Sequence, residues 1–448
     1  MRYVGEKASV MLASSVTKAS AMLVAAALVS APSFAKGKLD GAFPFQASKK
    51  SAELHYPSLP QATLDRIQGK APKIVTPNRA DTSLSRDWAL NFIGFFEVFT
   101  SALKPKKVGI ESCSNEVVVA VIDTGIDYTH PELAESLWIN RGEAGPWEPA
   151  ASLKQLTTCR DKSCNGIDDD GNGFVDDIAG WDFVHEVPLP FDTHGHGTHI
   201  AGIIAGAAAN GSSAGVCPNV TIMPLKYYDN SGSGYNNLAN TVRAIQYAVR
   251  NGAQIINYSG GGADPAASER AAVEEANRRG VLFVAAAGND GHDNRFAPYY
   301  PASYGVENIV SVASVNREGK LLPSSNYGRT VQVAAPGLGI LSTLPEGKFG
   351  TMSGTSQATA FVTGAAALLL SQVKGRPELD PRIAKRWILE SARPLKGDKR
   401  QQLVSHGALW LPGALDIESR ELALPVKAGT TRDFAARLKA QSAASEIR

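Results

Sequence analysis

The sequence predicts an α/β protein with a doubly wound, mostly parallel sheet that is flanked by helices on both faces. Five apolar runs have the length of buried strands and no helical period, at residues 116–127, 221–228, 253–260, 280–289 and 308–315. Each run is followed by Gly, Asn, Ser or Asp. In sheets of this kind the chemistry collects at the carboxyl ends of the strands, where these polar residues lie.

Helical patterns separate several of the predicted strands. Residues 237–252 carry apolar side chains at helical spacing and end at Gly252, and residues 266–280 do the same and end at Gly280. A strongly apolar helix is also predicted after the Gly/Ser/Thr turn at residues 350–356. Strands that alternate with helices imply parallel pairing with a helix layer on each face.

Composition places the chain among ordinary globular proteins. Its 448 residues are 44% hydrophobic and 20% charged, which is sufficient for a sizeable core. The net charge of +2 and the scattered Lys and Arg residues argue neither for a nucleic-acid partner nor for a membrane surface, so no nucleic-acid partner is expected.

The N-terminus has the layout of a secretory signal peptide, which predicts an exported protein, secreted or periplasmic. Basic residues precede the apolar stretch AMLVAAALVSAPSFAKG, and cleavage is expected after Ala35. The apolar part of that stretch is too short to span a bilayer readily, so no stable membrane insertion is expected. The predicted organisation is a signal peptide (1–35), a leader, short propeptide or linker (36–83), an α/β domain (84–417) and a C-terminal tail without an assigned function (418–448).

Four cysteines in an exported chain favour two disulfides, with three possible pairings. Cys159 and Cys164 are close enough in sequence to close a small loop. That pairing leaves Cys113 and Cys217, each just upstream of a predicted strand. The alternative is that some of the four remain buried thiols.

Three residues have the chemistry of an orienting carboxylate, a base and a nucleophile. Asp123 ends a buried strand, where a carboxylate requires a partner. His196 lies in DTHGHGTHIAG at a predicted helix start, between two glycines. Ser356 lies at a helix N-terminus, where free N–H groups stabilise either a cap or an oxyanion. Each has an ordinary structural explanation when taken alone.

The segment DDDGNGFVDD predicts a calcium-binding loop. Its alternating oxygen donors and its glycine match the first half of an EF-hand-type loop. Without a cation the acidic side chains repel one another, although a solvated acidic loop is the alternative. The terminal bidentate Glu is missing, so flanking EF-hand helices are not implied. The predicted ligands are Asp168, Asp170, Asn172, Phe174 (through its carbonyl), Asp176 and Asp177.

The motifs around these residues resemble the signature blocks of the subtilases, the subtilisin-like serine proteases. VIDTGID, HGTHIAG and SGTSQATAFVTGAAALL occur in that family's order of Asp, His and Ser. AAAGND resembles the oxyanion block of the family. The resemblance runs from about Trp88 to about Ile417 and implies a subtilisin-like fold.

The resemblance implies a serine endopeptidase that acts on protein or peptide substrates without an organic cofactor. Ser356 would be the nucleophile, His196 the general base and acid, Asp123 its orienting carboxylate, and Asn289 the oxyanion donor. His199 is expected to be structural and His194 a loop residue. An extended peptide would bind between two segments, which correspond to Gly232, Ser233 and Gly234 and to Ser259, Gly260 and Gly261.

The chain departs from the family pattern next to the nucleophile. Gln357 replaces the common Met, which removes an oxidisable sulfur, and Ala360 and Phe361 replace Pro and His. Small residues at 259–261 and 286–289 predict a roomy first substrate pocket. The segment 36–83 is short for a folding propeptide and is a possible partner of the domain as an abbreviated inhibitor. The competing hypothesis is a catalytically idle, calcium-stabilised binding scaffold with the same fold.

Overall fold

The computed structural model describes residues 58–68, 87–100, 113–146, 161–208, 214–229, 234–373, 380–395 and 407–423. The predicted signal peptide and most of the predicted leader and tail lie outside them. The helices are α1 (Gln61–Ile67), α2 (Trp88–Phe92), α3 (Phe95–Thr100), α4 (His196–Ala205), α5 (Gly234–Arg250), α6 (Ala267–Arg278), α7 (Thr355–Gln372), α8 (Ile383–Glu390) and α9 (Leu411–Ala423). Two short 3₁₀ helices span Ala134–Ser136 and Lys162–Cys164.

The predicted parallel sheet is confirmed. The strands are β1 (Val118–Asp123), β2 (Trp181–Asp182), β3 (Val187–Pro188), β4 (Thr221–Lys226), β5 (Ile255–Tyr258), β6 (Leu282–Ala286), β7 (Ile309–Val315), β8 (Val333–Pro336), β9 (Ile340–Leu344), β10 (Lys348–Met352) and β11 (Gly407–Ala408). Nine of them form one sheet in the order β11-β8-β7-β6-β5-β1-β4-β2-β3, and β9 and β10 form a separate hairpin. Within the large sheet, the pairing of β2 with β3 is antiparallel, and the other pairings are parallel.

Strand β1 lies between β4 and β5, where the direction of winding reverses. Its alternate side chains serve two different layers, because successive residues of a strand point to opposite faces. Val119 and Val121 pack with α4 and α7, whereas Ala120 and Ile122 pack with α5 and α6. The open crevice of a doubly wound sheet lies at such a switch point, next to the end of β1 at Asp123.

Helix α7 runs through the centre of one layer. It is buried over nearly its whole length and is built mainly of Ala, Leu, Val and Thr, as expected of a core helix rather than an amphipathic surface helix. Within the described part of the chain, no helix is both long and apolar enough to cross a lipid bilayer.

Helices α1 and α9 extend beyond the predicted central domain of residues 84–417. Helix α1 lies inside the predicted leader, yet Thr63 Oγ1 donates to Ala134 O at 3.3 Å and Arg66 Nη1 donates to Glu135 O at 2.9 Å. Arg141 Nη1 returns a bond to Arg66 O at 2.8 Å. At the other end, α9 continues past residue 417 to Ala423. Local sequence carries no signal for contacts that join segments this far apart in the chain.

Candidate active site

Asp123 and His196 form a hydrogen-bonded pair at the carboxyl end of β1. His196 Nδ1 lies 2.7 Å from Asp123 Oδ1, which also accepts from the Thr124 N–H at 2.8 Å. The Asp123 side chain is buried, and that of His196 is 24% exposed. Burial lowers the pKa of His196, but the charge and hydrogen bond of Asp123 outweigh it, so the net pKa is raised above 6.5.

Asp192 fixes the start of α4 and was missed as a site residue by the sequence analysis. Its carboxylate is buried and accepts from the N–H groups of His194 and Gly195 at 2.9 and 2.8 Å, and from the Thr198 N–H at 2.9 Å. It acts as the cap of α4, because the adjacent Gly195 has no side chain to do so. An Asp just before a helix is a capping signal that local sequence does contain.

Gly197 allows α4 to approach the end of β1. A Cβ there would lie 2.0 Å from Gly125 O and 3.1 Å from Asp123 Cβ, so a side chain would push the helix away. The Gly197 N–H donates to Thr124 Oγ1 at 2.9 Å. The glycine and this bond together set the distance between His196 and its carboxylate.

The two neighbouring histidines do not touch Asp123. His199 is fully buried and its Nε2 lies 3.0 Å from Ile340 O and 3.2 Å from Gly350 O, in the β9–β10 hairpin. Burial lowers its pKa to about 4. His194 is exposed, with its ring centroid 6.4 Å from that of His196. The contacts of His199 with the hairpin agree with the structural role predicted for it.

Ser356 is the second residue of α7 and is 8% exposed. The preceding Gly354 is the N-cap, with a φ of 151° that favours glycine. The Ser356 N–H has no partner among the described residues, as expected in the first turn of a helix. Its Oγ donates to Ser259 O at 3.1 Å, and the described contacts include no hydrogen bond between Ser356 and His196. The structure therefore does not contain the serine–histidine bond of the predicted relay.

Asn289 caps the same helix from the loop after β6. Its Oδ1 accepts from the Thr355 N–H at 2.9 Å and from Thr355 Oγ1 at 3.2 Å. These bonds fix the amide, and its Nδ2 donates to no described residue. Asn326 supports the loop, since its side chain accepts from the Asp290 N–H at 3.0 Å and donates to Ala287 O at 3.0 Å. Asn326 lies in the segment SNYG, to which sequence reasoning assigned no role.

The second predicted peptide-binding segment follows β5. Ser259 faces Ser356, since its carbonyl accepts from Ser356 Oγ and its own Oγ donates to Ser356 O at 3.3 Å. A Cβ on Gly260 would lie 2.1 Å from the Tyr227 hydroxyl oxygen. In the other segment, Gly234 begins α5, whereas Gly232 and Ser233 lie outside the described residues.

The acidic loop brings together a different set of carboxylates from the predicted one. Asp168 and Asp170 lie with Glu143, their nearest ligand atoms all within 4.8 Å of one another. Asn172 is part of the same network, where its Nδ2 donates to Asp170 Oδ2 at 3.2 Å and its Oδ1 accepts from the Phe174 N–H at 2.8 Å. Sequence analysis missed Glu143, which lies well upstream in a segment without a motif.

Two predicted ligands accept hydrogen bonds from other protein groups, and the Phe174 ring packs in the core. Asp176 has a positive φ of 55° and accepts from the Gly166 N–H at 3.0 and 3.1 Å. Asp177 is buried and accepts from Asn140, Asn172 and the Tyr247 hydroxyl. The Phe174 ring packs on Trp181, Phe183 and Tyr247. Asp177 shares the amides of Asn140 and Asn172 with Asp170 and so lies beside the cluster, whereas Asp176 bonds Gly166. The closing of the loop by Asp176 or Asp177 stays a prediction.

One side-chain oxygen of Glu143 takes no part in this network of hydrogen bonds. The residue is fully buried, and its Oε1 accepts from the N–H groups of Asp169 and Asp170 at 2.8 and 3.2 Å. Its Oε2 is buried without a hydrogen-bond partner among the described residues. Burial raises the pKa of Glu143 to about 7 and that of Asp177 to about 6. A buried carboxylate oxygen without a hydrogen-bond partner favours the binding of a cation.

The structure contains a disulfide between Cys113 and Cys217, which links the segment before β1 to the segment before β4. Cys164 is also disulfide-bonded. Cys159, its predicted partner, lies outside the described residues.

Along the chain of this doubly wound fold, the carboxylate comes first, the imidazole second and the helix-terminal serine last. This order identifies the class of subtilisin-like serine proteases. Comparison with known proteins then gives the family. Residues 114–407 match the sequence profile of the subtilase family (peptidase S8). The chain belongs to the subtilase family.

Relatives and solved structures agree with this assignment. The chain is 36% identical over 256 residues to thermitase of Thermoactinomyces vulgaris, covering 57% of this chain and 75% of thermitase. The chain is 37% identical over 262 residues to the thermophilic serine proteinase of Bacillus sp. strain AK1. This alignment covers 58% of this chain but only 54% of that protein. The structure of a cold adapted subtilisin-like serine proteinase matches with a TM-score of 0.53 and 26% identity over 72% of this chain and 97% of that one. Patellamide maturation protease PatA matches with a TM-score of 0.52 and 28% identity over 69% and 98%.

Proposed function

We propose that this chain is an exported serine endopeptidase that hydrolyses peptide bonds through an acyl-enzyme on Ser356. The observation that carries the proposal is the 2.7 Å bond between a buried carboxylate and His196, in a fold whose α7 presents Ser356 with a free N–H. Asp123 holds the imidazole with Nδ1 protonated, so that Nε2 is the basic nitrogen.

In the proposed mechanism, Ser356 Oγ leaves the Ser259 carbonyl when substrate binds and attacks the peptide carbonyl carbon. His196 takes the hydroxyl proton and gives it to the leaving amine, so that an ester forms as the C–N bond breaks. Water, activated by the same imidazole, then hydrolyses the ester. The Ser356 N–H and Asn289 Nδ2 donate to the oxyanion, and the absence of other partners for both donors among the described residues supports this role.

The substrate is an extended peptide that adds a strand alongside Ser259, Gly260 and Gly261. Gly232, Ser233 and Gly234 form the opposite side in this proposal. The competing hypothesis of an idle scaffold is not favoured, because both oxyanion donors and the carboxylate–imidazole pair are intact.

We further propose that calcium binds Glu143, Asp168 and Asp170 and stabilises the fold. The unpartnered buried oxygen of Glu143 supports a bound cation, and carboxylate oxygens are ligands suited to calcium. Asn172 orients the loop through its bonds to Asp170 and Asp177. The ion has no part in the chemical steps above.

Export rests on the N-terminal signal sequence and is supported by the disulfide bonds, which are typical of oxidising compartments. Within the proposed leader 36–83, we place the mature N-terminus upstream of α1. The support is that α1 is tied to the domain through Thr63 and Arg66.

The test is labelling of mature protein with a fluorophosphonate, beside a Ser356→Ala variant of matched thermal stability. Wild type should be labelled and should cleave an internally quenched peptide, and Ser356→Ala should do neither. Equal labelling of both proteins would contradict the assignment of the nucleophile. Folded, cation-loaded wild type without labelling or hydrolysis would support the scaffold hypothesis instead.

A further inference from the structure

The two walls of the cleft beside Ser356 are both tied to the start of α7. One wall is residues 259–261, which exchange two hydrogen bonds with Ser356 through Ser259. The other is residues 286–289, which cap the helix through Asn289. A peptide carbonyl held between Ser356 and Asn289 would therefore place the side chain of its own residue between these walls. We refer to this substrate residue, which supplies the scissile carbonyl, as the acyl residue.

The aromatic ring of Tyr299 spans the space between the two walls. At Gly288, a Cβ would lie 2.9 Å from Tyr299 Cγ, and at Gly261 it would lie 2.5 Å from Cε1 and 2.9 Å from Cζ. One end of the ring thus packs on one wall and its far end on the other. Both contacts require glycine, because any side chain at either position would collide with the ring. The roomy pocket predicted from small wall residues differs from this arrangement.

The backbone around Tyr299 is anchored to the peptide-binding wall. The Tyr299 N–H donates to Ser303 Oγ at 3.3 Å, and the Ser303 N–H donates to Tyr299 O at 2.9 Å. The next residue, Tyr300, exchanges backbone bonds of 2.8 and 3.0 Å with Gly262. These bonds position the ring relative to residues 259–261. The hydroxyl of Tyr299 bonds no described residue, so the ring is held by its backbone and by packing.

We propose that Tyr299 determines specificity by filling the pocket of the acyl residue, so that the enzyme cleaves after small residues such as Gly, Ala and Ser. This inference rests on the proposed endopeptidase function. A long or aromatic side chain requires the ring to leave its place between Gly261 and Gly288, whereas a methyl or hydroxymethyl group does not. Since each methylene excluded from an apolar pocket changes kcat/KM by about tenfold or more, the discrimination is measurable.

The experiment compares kcat/KM for internally quenched peptides that differ only in an acyl Ala, Leu or Phe. Wild type should prefer Ala. The ratio of Phe to Ala should rise about tenfold or more in Tyr299→Ala, which removes the ring. Tyr299→Phe retains the ring and should retain the preference for Ala, which separates the effect of the ring from that of the hydroxyl.

The inference is overturned if wild type cleaves the Phe peptide better than the Ala peptide, or if a folded Tyr299→Ala variant has the wild-type ratio. If Tyr299→Ala does not fold, the wild-type series still decides between a small and a large pocket. Fluorophosphonate labelling of Ser356 separates the two hypotheses. A labelled, active wild type with the wrong selectivity removes this inference alone, whereas an unlabelled and inactive one removes the proposed function.

Discussion

Replacing Glu143 by glutamine is expected to change stability in opposite directions with and without calcium. The Glu143 carboxylate is buried, and its Oε2 has no protein partner among the described residues. Without a cation, the charge at Glu143 is therefore costly, and burial raises its pKa to about 7. In the proposed calcium site, the same charge would serve as a ligand. A neutral amide of the same shape removes both effects.

The size of the effect without calcium follows from the pKa of Glu143. Its rise from 4.5 to about 7 corresponds at most to about 3.5 kcal/mol, since one pKa unit is worth about 1.4 kcal/mol. Asp170 is exposed, so solvent screens the cluster and about 1–2 kcal/mol is expected. A raised folded-state pKa means that this stability is present below the ordinary pKa and is lost as pH rises through about 7. In chelator, Glu143→Gln should thus be more stable than the parent near pH 8 and equal to it well below pH 4.5.

The assay is thermal unfolding in the inactive Ser356→Ala background, which prevents autolysis. Near pH 8, Glu143→Gln should raise the Tm by a few degrees in chelator and abolish the rise that calcium gives the parent. Asp176→Asn is the matched control, because the Asp176 carboxylate faces Gly166 and not the cluster, and Asn tolerates its positive φ. A calcium-induced rise in Glu143→Gln as large as that of the parent would refute the reasoning.

The remaining predictions concern the proposed catalytic residues and Gln357, the neighbour of Ser356. The acid limb of kcat/KM should lie above pH 6.5, because Asp123 raises the pKa of His196 and only the neutral imidazole is a base. In the same pH–rate series, Asp123→Asn should lower kcat on the order of 10⁴-fold. Asn289→Ala should lower kcat on the order of 10²–10³-fold, a magnitude carried over from serine proteases of this family, and unchanged kcat in a folded variant would exclude Asn289 as an oxyanion donor. Activity should survive peroxide in wild type and be lost in Gln357→Met, which places a sulfur beside the nucleophile; equal inactivation of both would contradict this.

The positions of Asp123, His196, Ser356 and Asn289 were predictable because each lies where a regular element begins or ends. A buried run that stops at a carboxylate, or a glycine turn that enters an apolar helix, is visible in local sequence. The parallel sheet then brings these positions to one edge. The choice of His196 over His194 and His199, and the role of Asn289, came from the resemblance to the subtilases.

The contributions of Glu143 and Tyr299 were not predictable, because they depend on contacts between segments without a shared pattern. Glu143 joins Asp168 and Asp170 only after the chain has folded back on itself. Tyr299 lies in the segment YYPASY, to which sequence reasoning assigned no role in the cleft. The prediction of a roomy pocket considered the walls and not the side chain between them.

The first turn of α7 links catalysis to selectivity in this fold. Ser356 bonds one cleft wall through Ser259, and the adjacent Thr355 bonds the other through Asn289. The two bonds hold the walls at one separation, and Tyr299 fits that separation at both ends. A change that alters the width of the cleft must therefore also move Ser356 or Asn289. Removal of the ring leaves both bonds in place, and for this reason selectivity should change at Tyr299 without loss of the catalytic geometry.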